Sequence, residues 1–264
     1  MPQASVNGTM IHYRMDGPAT GPVVMFSNSL ASDLTMWDAQ AAPLAQAGYR
    51  VLCYDSRGHG RSAETPGPYT METLAADALG LMDFLGLRQI HFCGLSLGGM
   101  VGQVLGAQQG KRLRSLTLSD TSAYMPQPEI WADRIETASG SGMQALVETM
   151  IDRWFTSAGQ KRLPEAMANA RRMVLHTQVE GYCSCCAAIR DMDLRPGLPA
   201  IKTPTLIMVG EQDQGTPVSA AEFMHDRIAS SVLKVIPEAA HLPNVEQAAI
   251  FNTTLLEFLG INSF

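Results

Sequence analysis

Two hydrophobic periods alternate along this chain. Short continuous apolar runs fall at 23–26, 50–54, 89–94, 113–118, 205–209 and 232–236. Runs of that length suit strands buried on both faces of a parallel sheet. Between them lie longer stretches in which apolar residues recur every three or four positions, the spacing of amphipathic helices. These occupy 37–47 (stopped by Gly48), 70–85, 97–109, 219–228 and 246–259. Two more short strands are expected at 4–6 and 10–14, joined by Asn7-Gly8, a favoured hairpin pair.

The alternation breaks between 121 and 199, where no strand is expected and helical spacing recurs at 143–155, 163–176 and 179–190. The pattern therefore predicts an α/β core from 1–120 and 200–264, with a mostly parallel eight-stranded sheet carrying helices on both faces. A helical lid, 121–199, is inserted after the sixth strand. No internal repeat or low-complexity segment interrupts it.

Composition narrows the class. With 264 residues, 46% hydrophobic and 17% charged, the chain can bury a sizeable core and is far from disordered compositions. A net charge of −6 argues against nucleic-acid or anionic-membrane partners. No run approaches a membrane span, and the first residues lack the basic-then-apolar pattern of a secretory signal, so a cytoplasmic location is expected. Five cysteines, with Cys53 and Cys93 inside expected strands, fit reduced thiols better than a disulfide framework. Cys183-Ser184-Cys185-Cys186 lacks the second pair or spaced histidines of a metal site and reads as small packing residues on a helix. Neither metal nor cofactor is expected.

The chemistry centres on Gly94-Leu95-Ser96-Leu97-Gly98-Gly99, directly after an apolar run. A serine between glycines at minus two and plus two suits a sharp strand-to-helix turn that lifts a nucleophile clear of the sheet. The bare motif also occurs by chance in Gly/Ser loops, so its partners decide. Serine hydrolysis needs a base and an acid that orients it, each following the serine on a late loop. Asp213 fits the acid, with Glu211 a nearby competitor, and His241 fits the base. His12 and His91 fall in strands, His59 in a turn, His225 on a helix and His176 in the lid. The oxyanion donors expected are the backbone amides of Leu97 and of Leu30, in the loop after the third strand.

These features resemble the α/β-hydrolase superfamily over essentially the whole length, through 94–99, through Asp55-Ser56-Arg57-Gly58-His59-Gly60-Arg61-Ser62, and through the late Asp213 and His241. Two departures stand out: Asn28-Ser29 where His-Gly is usual, and Ala240 where Gly is usual before the histidine. The first departure, with Asp33-Leu34-Thr35-Met36-Trp37, Arg153-Trp154-Phe155-Thr156, Glu180-Gly181-Tyr182, Ala187-Ala188-Ile189 and Asp193-Leu194-Arg195, resembles 3-oxoadipate enol-lactonases. That resemblance implies opening of a small enol-lactone to a dicarboxylate in aromatic catabolism, through an acyl-enzyme on Ser96. It also implies a cation for the substrate carboxylate: Arg134, Arg153 and Arg190 are candidates, with Trp131 and Trp154 as apolar walls. A general carboxylesterase, a lactonase for another ring, a cofactor-free haloperoxidase or perhydrolase, or a ligand receptor of the same fold are the alternatives. An aspartate-nucleophile dehalogenase is disfavoured by Ser96. The oligomeric state is not legible.

Overall fold

The computed structural model describes residues 2–262. Eight strands form one sheet: β1 Gln3–Val6, β2 Thr9–Asp16, β3 Val23–Ser27, β4 Arg50–Tyr54, β5 Ile90–Leu95, β6 Leu113–Ser119, β7 Thr205–Gly210 and β8 Ser231–Ile236. The α-helices are α1 Asp38–Gln46, α2 Met71–Phe84, α3 Leu97–Gln109, α4 Pro128–Ser141, α5 Val147–Trp154, α6 Ser157–Arg162, α7 Pro164–His176, α8 Val179–Asp191, α9 Val218–His225, α10 Pro243–Glu246 and α11 Ala248–Ile261.

The strand order is β1-β2-β4-β3-β5-β6-β7-β8. β1 pairs antiparallel with β2, and β2 with β4; the remaining pairs are parallel. Every residue of β3, β5 and β7 is buried, as their unbroken apolar runs require. β8 closes the sheet as an edge and exposes Val232, Lys234 and Val235.

From β3 the chain steps one way to β4, and from β5 it steps the other way to β6. Right-handed crossovers in opposite directions put the connecting helices on opposite faces, so α1 packs against α11 while α2 packs against α3. The reversal leaves a switch point between β3 and β5, and ligands of open α/β sheets bind outside the carboxyl ends at such a point. The loops after β3 and β5 hold Leu30 and Ser96.

Three α-helices are absent from the sequence reading, the four-residue α10 among them. α4 buries only Trp131 and Ala138, seven residues apart, too sparse a stripe to register as a period. α6 is six residues long and buries only Gly159. By contrast α5 buries Val147, Met150, Ile151 and Trp154, the spacing of one helix face. The helix expected from 37 also begins differently. A 3₁₀ turn, Leu34–Trp37, capped by Asp33 accepting from the Thr35 amide, precedes α1.

The helical segment between β6 and β7 is tied to the loop after β8. Leu242 donates its amide to the Trp154 carbonyl at 3.1 Å. The Glu246 side chain, 4% exposed, accepts from the Ala240 amide at 2.9 Å, from the Thr156 amide at 3.1 Å and from the Thr156 hydroxyl. One buried carboxyl group thus holds both the end of α5 and the residue before His241. Glu246→Ala orphans both amides, at about 1–3 kcal/mol for each buried donor left without a partner. Urea unfolding is expected to show that loss, with a smaller one for Glu246→Gln, which keeps an acceptor oxygen.

Candidate active site

Ser96 sits between β5 and α3 at φ 56° and ψ −114°. A non-glycine residue there is strained, and the packing around it holds the turn. A Cβ on Gly94 would lie 2.0 Å from the Gly98 carbonyl oxygen, and one on Gly98 would lie 2.1 Å from that of Ser27. Only glycine lets the helix start so close to both strands. Ser96 donates its amide to the Ser119 carbonyl at 2.9 Å and accepts from the Thr121 hydroxyl at 2.8 Å. The Leu97 amide belongs to the first turn of α3, where no intrahelical acceptor exists and the helix dipole favours negative charge.

The loop after β3 is fixed from within. Asn28, fully buried, donates to the Tyr54 carbonyl at 2.9 Å and accepts from the Trp37 indole at 2.9 Å, while its own carbonyl receives the Gly98 amide at 2.9 Å. The Asn28-Ser29 departure is therefore a structural solution that anchors the loop to β4, to the 3₁₀ turn and to α3. Leu30 follows it and lines the same cavity as Ser96.

His241 meets Asp213 and not Glu211. Its Nδ1 lies 2.8 Å from Asp213 Oδ2. Asp213 also accepts from the Gly215 amide at 2.8 Å, the Thr216 amide at 3.2 Å and the Thr216 hydroxyl at 2.6 Å. Burial works to raise its pKa, yet the charge and hydrogen bond of His241 with those from Thr216 hold it below the usual carboxylate range. With Nδ1 engaged by Asp213, Nε2 is the nitrogen left to exchange a proton with substrate or serine. Glu211 instead receives the Glu238 amide at 3.2 Å, beyond the cavity wall.

The other histidines are engaged elsewhere: His12 with Asp55, His59 with the Arg57 carbonyl, His91 with Ser115, His176 with the Arg172 carbonyl and His225 with Ser231. Burial lowers the pKa of His59 and of His91 to about 4, so both are neutral. All five cysteines are free thiols, and Cys185 and Cys186 are buried in α8 where it packs on α4.

Ser96, His241, Asp213 and Leu30 border one cavity of about 530 Å³. Trp131, Arg134, Arg153 and Trp154 line it too. Arg190 does not: it pairs with its neighbour Asp191 at 2.7 Å, because the turn of α8 carries it away from the cavity. The Arg134 guanidinium stacks on the Trp131 ring at 4.6 Å. Among the described residues, neither Arg134 nor Arg153 is within ion-pair distance of a carboxylate. Arg195 also reaches the wall, stacked 3.9 Å from the Tyr124 ring and paired with Asp193 at 2.7 Å. The sequence resemblance includes Arg195 but assigns it no place at the site. Tyr124 and Phe223 bear no local signal, since only the fold brings them to the wall.

A profile of the α/β hydrolase fold family matches residues 22–248. This chain belongs to the α/β-hydrolase fold family. The hydrolase is 37% identical to 3-oxoadipate enol-lactonase 2 of Acinetobacter baylyi, over 92% of this chain and 90% of that protein. It is 34% identical to 3-oxoadipate enol-lactonase 1 of the same organism, over 92% and 91%. The enol-lactonase of Burkholderia xenovorans LB400 superposes with a TM-score of 0.96 at 41% identity, covering 98% of this chain and all of that one. The hydrolase is accordingly an ester or lactone hydrolase acting on a small molecule, and no helix among the described residues is long and apolar enough to cross a membrane.

One buried group beside the site has no counterpart in the sequence reading. Asp120, at the carboxyl end of β6, accepts from the Gly210 amide at 2.8 Å and the Ser119 hydroxyl at 2.6 Å. Burial and then the Asp213 charge push its carboxyl well above the usual carboxylate range. A carboxyl whose pKa is raised on folding stabilises fully below the unfolded value, about 3.9, and that contribution is lost as pH rises above it. Asp213, with its lowered pKa, has the opposite sign and loses its contribution as pH falls. Asp120→Asn, which retains an acceptor for Gly210, is therefore expected to raise the Tm at pH 7. That gain should vanish near pH 4 when calorimetry is run across the range.

Proposed function

We propose that this hydrolase opens a small enol-lactone carrying a carboxylate, 3-oxoadipate enol-lactone being the substrate that the relatives' names suggest. The observation that carries this reading is the pairing of Ser96 and the His241–Asp213 pair with Arg134 and Arg153 on one cavity wall, neither arginine being paired with an acid among the described residues. A dicarboxylate product and a monocarboxylate substrate need such a cation, and guanidinium groups hold carboxylates in paired hydrogen bonds. Trp131 and Trp154 supply the apolar wall for the ring. On this reading 121–199 acts as a lid that frames the substrate, while 1–120 and 200–264 supply the reacting groups.

The chemistry follows from the geometry. Ser96 Oγ attacks the ring carbonyl while His241 Nε2 takes its proton. Asp213 holds the Nδ1–H and stabilises the imidazolium that forms. The oxyanion accepts from the Leu30 and Leu97 amides, a contribution of about 10²–10³ in turnover for a single such donor. Collapse breaks the ring C–O bond. The departing enolate is stabilised by delocalisation and takes the proton back from His241, and the resulting enol tautomerises to the ketone. Water, deprotonated by His241, then attacks the acyl carbon and releases Ser96. The product leaves as the open dicarboxylate, and these steps consume only water. Five free cysteines, four of them buried, support a reducing cytoplasmic setting for a catabolic enzyme of this kind.

Two outcomes test this. The ultraviolet decay of the enol-lactone should far exceed hydrolysis of p-nitrophenyl acetate in kcat/KM, and Ser96→Ala or His241→Ala should each cost roughly four to six powers of ten in kcat while the circular dichroism is kept. A preference for the simple ester would reject the enol-lactone and leave a general carboxylesterase. Separately, Arg153→Met and Arg134→Met each remove a charge-assisted contact of about 1.5–3 kcal/mol. The lactone KM should rise by about tenfold to hundredfold in at least one of them, and by less for the neutral ester.

A further inference from the structure

The acid position of this site holds two carboxyl groups, and the chemistry above uses only one. Asp120 is 1% exposed and has a left-handed φ of 44°, a conformation that aspartate tolerates and that turns its side chain from the β6 ladder toward β7. A carboxyl oxygen of Asp120, one of Asp213 and a ring nitrogen of His241 all lie within 4.8 Å of one another. Two ionised carboxylates cannot share so small a buried space, so one keeps its proton and bridges to the other. Asp213 receives four hydrogen bonds that favour its charge, three from Gly215 and Thr216 and one from His241. Asp120 receives two, from Gly210 and Ser119. The proton therefore resides on Asp120.

We propose that Asp120 is a positioning residue for His241: it donates a hydrogen bond to Asp213 in the intact chain, and becomes the acid that holds Nδ1 of His241 when Asp213 is removed. The two roles share one cause. While Asp213 is ionised, a second charge beside it is disfavoured and Asp120 stays neutral. Once Asp213 is gone, His241⁺ becomes the charged group facing Asp120. The Gly210 amide and Ser119 hydroxyl then favour the ionised form. The gap left to bridge is at most 4.8 Å, from an Asp120 oxygen to a ring nitrogen of His241. This inference rests on Ser96, His241 and Asp213 acting together, and not on which lactone is opened.

The test uses a fluorophosphonate, whose phosphorus is attacked by an activated Ser96 Oγ as fluoride leaves and the serine proton passes to His241. Labelling is followed by intact mass on the full chain, with Ser96→Ala as the silent control. Asp120→Asn is made in the intact chain and in Asp213→Ala. The proposal expects Asp120→Asn to slow labelling by a larger factor in Asp213→Ala than in the intact chain, by about tenfold or more. An equal or smaller factor overturns it. A merely structural Asp120 would slow both backgrounds alike. Absence of labelling at Ser96 in the wild type would instead overturn the assignment of the nucleophile. Should the double variant not fold, the crystal structure of Asp213→Ala decides: an Asp120 oxygen within hydrogen-bond distance of Nδ1 supports the proposal, and a water there in its stead overturns it.

Discussion

The turn at Ser96 is the constraint on which the remaining geometry rests. A strained residue at φ 56° joins a fully buried strand to a helix that starts against the backbone of β3. That approach brings the Gly98 amide to the Asn28 carbonyl, and so sets the loop carrying Leu30 against the start of α3. The cost of the strained conformation is borne by packing on both sides, through the Ser96–Ser119 and Thr121–Ser96 hydrogen bonds. On the proposed reading, the hydroxyl and the Leu30 and Leu97 amides are then in place before any charge develops, which is the condition for electrostatic stabilisation.

Around that turn, the environment separates two carboxyls that differ little in sequence. Asp213 is surrounded by donors and its pKa is held below the usual carboxylate range, while Asp120, also buried, faces Asp213 and has its pKa pushed well above that range. The same desolvation acts on both; the count of hydrogen bonds and the sign of the nearest charge decide between them. Similar selection applies to the arginines. Arg190, Arg171 and Arg195 are paired with Asp191, Glu148 and Asp193, while Arg134 and Arg153 line the cavity with no carboxylate within ion-pair distance among the described residues.

The helices between β6 and β7 and the histidine loop form a linked unit. Glu246 and the Trp154 carbonyl tie the end of α5 to 240–242, so the wall that holds Trp154 and the loop that holds His241 are positioned by the same buried contacts. Under the proposed reading, ring and base are thereby registered against each other. In this way a segment without a strand of its own contributes to chemistry carried out at the sheet.

Much of this was legible in the chain because it is local. Unbroken apolar runs specify β3, β5 and β7; alternating glycines around Ser96 specify the turn; chain order separates His241 from five other histidines. The stripe of Val147, Met150, Ile151 and Trp154 marks α5 without any tertiary knowledge. What local pattern could not carry is whatever depends on an unrelated segment's approach. α4 has too few buried positions to show a period, because α8 covers it over a narrow stripe. Asn28 reads as a departure until Trp37 and Tyr54 are seen to meet it. Arg190 and Arg153 are alike as sequence, and only the direction of their helices sends one to Asp191 and the other to the cavity. Asp120 and Asp213 are 93 residues apart in the numbering and share one buried space, so the proton that distinguishes them was decided by the fold alone.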